Sequence, residues 1–350
     1  MGIRSKAPFR IDFAGGGTDV APYCDEFKGA VLNATINYFA YVTITGAEEK
    51  GIHVNSLDFD EYAHFYTEDD LDNEGPLGLV KATLREIQRK NDIDIMDSDH
   101  GINVFIHSDA PPGSGLGSSS TVCVTLLGAL LDYYKIPLTN YEIGELSFDI
   151  ERVKLGIKGG SQDQFAATFG GFNFMEFYQG KTIVNPLRIR HETINELQYS
   201  LVMVYTGKSR MSDGILDEQI RLYNEHREDV IEYYHRAVEL ANELKNALLK
   251  EDLLDFARLL SQAYENKNHF CDRIKSDRIA QVYDMAMENG AIGGRIMGAG
   301  AGGFMLFYVD YEKKRHFLKT MKDIEAEPLN FAFEERGMQT WRIRNGENPC

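Results

Sequence analysis

Two short stretches hold the residue types that anion chemistry needs. In "PPGSGLGSSS" (111–120), glycines at 113, 115 and 117 let the backbone turn its N–H groups inward. The stretch lies between the alternating segment "INVFIHS" (102–108) and the apolar run "TVCVTLLGALLDYY", so a helix start at Ser118–Ser120 adds unpaired donors and a partial positive charge. The hydroxyls of Ser118, Ser119 and Ser120 are within reach of phosphate oxygens or a magnesium ion held there. No lysine follows the last glycine, which excludes a Walker loop, and Ser118 replaces the third glycine of a dinucleotide fingerprint. The second stretch, "FAGGGTDV" (13–20), places three glycines before Thr18 and Asp19. Taken alone it suits a phosphate cradle, a turn or half of a sugar pocket. The 111–120 loop has the better claim to phosphate, having both hydroxyls and a helix start.

The elements that must position these loops follow from periodicity. "AYVTITG" (40–46) and "INVFIHS" alternate apolar and polar residues, which predicts strands. "GLVKATLREIQRKN" (78–91) has helical spacing, a second helix begins at Ser118–Ser120 with the serines as N-caps, and a third covers 140–155. "YSLVMVYTG" (199–207) reads as a buried strand. From Asp213 to Asn289 the pattern is long amphipathic helix, its last segment capped by Ser276 and stopped by Gly290. "AIGGRIMGAGAGGFMLFYVD" then has six glycines in the eleven residues 293–303 before a strand. This order predicts an α+β chain with a boundary near 190–198, giving domains 1–195 and 196–350.

With 37 Lys+Arg against 54 Asp+Glu, the net charge is −17. Such a surface repels polyanions, so neither nucleic acid nor an anionic membrane is an expected partner, and an anionic substrate needs a local basic pocket. Cys24, Cys123, Cys271 and Cys350 are far apart in sequence, as expected of reduced thiols. His53, His64, His100, His107 and His191 show no metal-ligand spacing. No run approaches the ~18 apolar residues of a membrane helix, and "MGIRSKAPFR" has no apolar leader region. The expected location is the cytoplasm.

"PPGSGLGSSS" resembles the phosphate loop of the GHMP kinases. "KAPFRIDFAGGGTD" (6–19) resembles their N-terminal motif and "IMGAGAGGFMLF" (296–307) their C-terminal glycine motif, in the family's order and across almost the whole chain. The resemblance implies a two-domain fold: an N-terminal domain like the second domain of ribosomal protein S5, and a ferredoxin-like C-terminal domain. It implies phosphoryl transfer from ATP with Mg2+, the phosphates held by Pro112, Gly113, Ser114, Gly115, Leu116, Gly117 and the three serines. Within "KGGSQDQFAATFGG" (158–171), Asp163 takes the place of the catalytic aspartate and Arg10 that of its cationic partner. Glu151, twelve residues before Asp163, would pair with Ser119 on the metal. On the acceptor side the resemblance puts Asp19 on sugar hydroxyls, with Thr18 and Ser161 beside it. Gly16 and Gly17 replace the Glu-His pair of galactokinases and would clear space. Gly298, Gly300 and Gly302 would shape the site.

"RIDFAGGGTD" followed by "VAPYCDEFKGAVLNATI" is most similar to the branch of the family that phosphorylates the anomeric hydroxyl of heptose 7-phosphate, giving a 1,7-bisphosphate for activated heptose and lipopolysaccharide or other surface polysaccharide. That acceptor carries its own phosphate, for which Lys208, Ser209 and Arg210 of "YTGKSRMSD" (205–213) are the candidate cradle. Two other readings stay open: a fucokinase-like enzyme acting on a free sugar, and a GHMP-fold sensor that binds nucleotide and sugar to contact a regulator. The expected partners are ATP and a small sugar phosphate, and a homodimer is left open.

Overall fold

The computed structural model describes residues 2–57, 61–72, 77–91, 95, 101–110, 114–207, 214–225 and 228–343. The first part of the chain runs β1 (Gly2–Ala14), α1 (Tyr23–Glu26), β2 (Gly29–Gly46), β3 (Ile52–Ser56), β4 (Glu61–Phe65), α2 (Gly78–Asn91), β5 (Ile102–Ser108), α3 (Ser118–Tyr133), α4 (Asn140–Phe148) and α5 (Gln162–Phe169). It continues through β6 (Phe172–Tyr178), β7 (Lys181–Pro186), α6 (His191–Ser200), β8 (Leu201–Tyr205), α7 (Ile215–Asn224), α8 (Glu228–Leu249), α9 (Leu253–Lys267) and α10 (Asp277–Glu288). The last elements are β9 (Ala291–Ile296), β10 (Phe304–Val309), α11 (Lys314–Asp323), β11 (Glu327–Leu329) and β12 (Gln339–Ile343).

An eight-stranded sheet has the order β12-β1-β2-β5-β3-β4, with β6 and β7 branching from the other end of β2. The eighteen residues of β2 make this possible: Ala40–Gly46 pair with β5 and Gly29–Ala34 with β6. All its pairings are antiparallel except β3 with β5. A second sheet, β11-β8-β10-β9, is antiparallel throughout. The mixed helix and sheet content is the predicted α+β class. The chain crosses from one sheet to the other near residue 200 and returns after β11, first through a bridge between Phe333 and Ile36 and then through β12.

Strand β1 positions the site because its side chains alternate. Phe9, Ile11 and Phe13 are fully buried on one face against Leu244 of α8 and Phe256 of α9, each burial stabilising by about 1.5–3 kcal/mol. Arg10 and Asp12 therefore face the other way. Midway along β1, before a register shift at Pro8/Phe9, Ala7 joins a second cluster with Val42, Val104 and α3 residues such as Leu127. A third cluster packs Val204 and Phe307 of the small sheet on Val282 of α10 and Phe317 of α11.

The expected strand 102–108 and helix 78–91 coincide with β5 and α2. Two expectations need correction. The serines at 118–120 are not caps: Gly117 caps α3 at φ +76°, and the serines form its first turn. The helix expected over 140–155 ends at Phe148 and passes into a π-helical turn at Asp149–Lys154.

Candidate active site

A cavity of about 300 Å³ opens where β1, the 114–117 loop, the first turns of α3 and α5, the π-helical turn and the end of α9 converge. Arg10 and Asp163 meet on its wall: Nε of the arginine donates to Oδ1 of the aspartate at 2.7 Å, and Nη1 donates to the Gly115 carbonyl at 2.5 Å. Arg10 is buried, whereas the Asp163 side chain keeps 18% of its surface exposed. Burial disfavours the charge on Arg10, but the carboxylates of Asp163, Asp12 and Asp19 outweigh it and raise its pKa. The pair is thus a fixed cation holding a reachable carboxylate.

The phosphate-loop candidate closes around that pair. A Cβ on Gly117 would lie 2.9 Å from Asp163 Cγ, so only glycine allows this approach, and its positive φ suits glycine as well. Ser118, Ser119 and Ser120 all line the cavity at the start of α3, where the first N–H groups lack intrahelical partners. Leu116 takes another part: its side chain is core, and its carbonyl accepts the Arg10 N–H at 3.4 Å. Ser114 is buried away from the cavity. Pro112 and Gly113 lie outside the described residues, as do Lys208, Ser209 and Arg210.

Ser119 Oγ donates to Glu151 Oε1 at 2.8 Å, and Gln164 Nε2 donates to Oε2 at 2.6 Å. The two oxygen donors expected to bind magnesium are therefore adjacent and chemically suited to a hard cation. Ser119 faces the cavity and Glu151, with no exposed surface, stands behind it. The π-helical turn that buries Glu151 also aims Arg152 back across the cavity wall. Its Nη2 donates to Ser120 Oγ at 3.2 Å and its Nε to the Gly160 carbonyl at 3.3 Å.

Asp19 lies at the junction with a second cavity of about 500 Å³. Its Oδ1 accepts from Gly17 N at 3.1 Å and Gln162 Nε2 at 3.3 Å, and its Oδ2 from Gln162 N at 3.2 Å. Burial and the charge of Asp163 push its pKa up, against the pull of those N–H donors. Ser161 faces the larger cavity and shares a hydrogen bond with Thr182 Oγ1 at 3.0 Å. Among the described residues, none of 114–120 lines the larger cavity, whereas the smaller one is lined by Gly115, Gly117 and the three serines together with Arg10 and Asp163.

Three expectations about residues around the cavity are corrected. Thr18 does not face the cavity: its hydroxyl bonds the Gly15 and Ala30 carbonyls at 2.8 and 3.1 Å and tethers β2 to the glycine turn. Gly16 and Gly17 line the cavity, but the side chains they lack leave room for protein rather than ligand. A Cβ on Gly16 would meet Asp12 Oδ2 at 2.7 Å, and one on Gly17 the Phe270 ring at 3.0 Å. Gly302 does not line the cavity. Gly303 instead approaches the phosphate loop, where its Cβ would fall 2.4 Å from the Ser114 carbonyl oxygen. Gly298 makes the same kind of contact with Gly115, while Gly300 packs on Ile274.

Sequence reasoning missed Asp12, Arg152, Lys267 and Arg295. Asp12 was within reach, being two residues from Arg10 on one face of a strand. Arg295, of β9, donates from Nη2 to Asp12 Oδ2 at 2.7 Å and from Nη1 to the Phe13 carbonyl at 2.5 Å, joining the small sheet to β1. Burial raises the pKa of Asp12, but Arg295, Lys267 and Arg10 hold it below the usual carboxylate value. No local pattern announces Arg295 or Lys267, because their neighbours come from distant parts of the chain.

A cation–carboxylate pair set over a glycine-rich helix start is the arrangement of a phosphoryl-transfer site. The family model described as "GHMP kinases N terminal domain" matches residues 78–171, and "GHMP kinases C terminal" matches 244–320. The D-glycero-alpha-D-manno-heptose 7-phosphate kinase of Campylobacter jejuni is 37% identical over 97% of this chain and 99% of its own length. A crystal structure titled as a D-glycero-D-manno-heptose 1-phosphate kinase from Bacteroides thetaiotaomicron superposes with a TM-score of 0.82 at 34% identity, covering 98% of this chain and 100% of that one. The bifunctional fucokinase/GDP-fucose pyrophosphorylase of Arabidopsis thaliana is more distant, at 26% identity over 90% of this chain and 31% of its own. The chain belongs to the GHMP kinase family, and its two-domain fold is that of the family.

Proposed function

We propose that this kinase transfers the γ-phosphoryl group of ATP to the anomeric hydroxyl of D-glycero-D-manno-heptose 7-phosphate. The observation that carries the reading is the Arg10–Asp163 pair at 2.7 Å, held against Gly117 at the start of α3. The choice of sugar rests on the heptose-kinase relatives, which match this chain end to end. Asp163 orients the acceptor hydroxyl and receives its proton, while Arg10 holds that carboxylate in position and offsets charge on the transferring group. Ser118–Ser120 and the N–H groups of the first turn of α3 hold the phosphates. Magnesium would be held by Ser119 and Glu151, and when bound it neutralises phosphate charge. Asp19 accepts from sugar hydroxyls. The 208–210 segment remains the candidate for the distal phosphate.

The test is a coupled ADP-release assay with heptose 7-phosphate and free L-fucose side by side. Turnover with the sugar phosphate, lost in Asp163→Asn, is expected. Preferential turnover of L-fucose would replace this reading with the free-sugar kinase.

A further inference from the structure

Lys267 is the last residue of α9, and its side chain crosses a buried region to line the catalytic cavity with Ser119 and Asp163. Only 5% of the residue is exposed. An ammonium has three donors, and among the described residues the Lys267 Nζ uses one hydrogen bond, to the Gly298 carbonyl. The carboxylate that attracts it most does not complete the set: Asp12 is engaged by Arg295 at 2.7 Å and by the Gly298 N–H at 3.5 Å. A desolvated cation with spare donors is unfavourable in a resting protein unless an anion arrives to meet it. Gly298, which holds the ammonium, packs on Gly115 closely enough that its Cβ would fall 2.6 Å from Gly115 Cα. Gly115 in turn accepts from Arg10. Lys267 is thus connected through two glycines to the catalytic arginine and the phosphate loop.

We propose that Lys267 is a further catalytic residue whose ammonium binds a phosphate oxygen in this cavity. The proposal rests on the kinase reading above and adds a cation from the C-terminal part of the chain. The shared chemistry is a phosphoryl dianion, with two sources: the γ-phosphate of ATP and the phosphate already on the acceptor.

The groups facing Lys267 are Asp12, Arg10 and Asp19 from the β1 side and Arg295 from β9. Burial and the two arginines bring its pKa down to about 8, against the pull of the carboxylates. The binding form is the ammonium, so kcat/KM of the wild type should fall as pH rises through about 8. Lys267→Arg, which stays charged, should lose that fall, a change that a purely structural role would not produce.

Lys267→Met should lower kcat by about 10²-fold, as expected for removing one donor to a transferring group, with its melting temperature maintained because the charge removed was desolvated. Loss on every acceptor, with weaker calorimetric binding of a non-hydrolysable ATP analogue, assigns the γ-phosphate. A rise confined to the KM of the phosphorylated acceptor assigns the acceptor phosphate. Kinetics within threefold of wild type in Lys267→Met, or an unchanged pH profile in Lys267→Arg, overturns the proposal while leaving the kinase reading intact. If heptose 7-phosphate is not the substrate, the nucleotide-binding arm still decides the role of Lys267.

Discussion

Replacing Arg295 with methionine tests whether the buried ion pair joining β9 to β1 stabilises the molecule. Methionine keeps most of the stem volume and removes three hydrogen bonds, to the Ile296 and Phe13 carbonyls and to Asp12 Oδ2. Both partners of the ion pair have side chains only 2% exposed, so the loss of one leaves a carboxylate that water does not reach. Removing one member of such a pair costs about 3–5 kcal/mol. Here the lower end applies, about 3 kcal/mol, because Lys267 also attracts Asp12 and is itself repelled by Arg295. The assay is urea unfolding followed by circular dichroism, on wild type, Arg295→Met, Asp12→Asn and the double variant. The double variant should recover much of the loss, since no unpaired charge remains in it. A single-variant loss below about 1 kcal/mol, or a double variant no more stable than Arg295→Met, would refute the reasoning.

Asp163→Asn should reduce kcat by about 10²–10⁴-fold while nucleotide binding, read by calorimetry, stays near wild type. Gly298→Ala places a Cβ 2.6 Å from backbone at φ +67°; it should destabilise by about 1–3 kcal/mol and raise the KM for ATP, read by thermal melting and initial rates. Lys267 gives a pH signature in stability: its folded pKa of about 8 lies below the ordinary 10.5, so the unfolded chain binds the extra proton between those values. Stability should therefore rise as pH increases from about 8 to 10.5, by up to ~3 kcal/mol at about 1.4 kcal/mol per unit, and Lys267→Met should abolish that rise in urea titrations. Glu151→Gln should raise the magnesium concentration needed for half-maximal rate several-fold, and an unchanged requirement would remove Glu151 from the metal role.

What was legible in the sequence was local. The alternation of "INVFIHS" and the periodicity of 78–91 depend on neighbouring residues, and β5 and α2 appear at the expected bounds. The glycine-rich turn into α3 was legible for the same reason, since its glycines and serines follow one another. The π-helical turn at 149–154 was not, because an added backbone residue leaves helical composition unchanged while rotating Glu151 inward and Arg152 toward the cavity. Thr18 was misread because a hydroxyl beside glycines looks available until β2 is seen to pass it. Gly16 and Gly17 were read as space for a ligand, yet their neighbours are Asp12 and Phe270. Arg295 and Lys267 were invisible because their meaning comes from β1 and from the glycine-rich turn into α3, which lie about 150 residues or more away in sequence.

The return of β12 to pair with Gly2–Lys6 has a consequence for synthesis. The strand that carries Arg10 is made some 330 residues before the one that covers the edge at Gly2–Lys6, which among the described residues is Gln339–Ile343. Until those five residues emerge, that edge keeps a row of unpaired backbone donors and acceptors, a template for pairing with another chain. A chain interrupted before them would be sticky as well as short, so β12 protects an edge that would otherwise recruit a second chain.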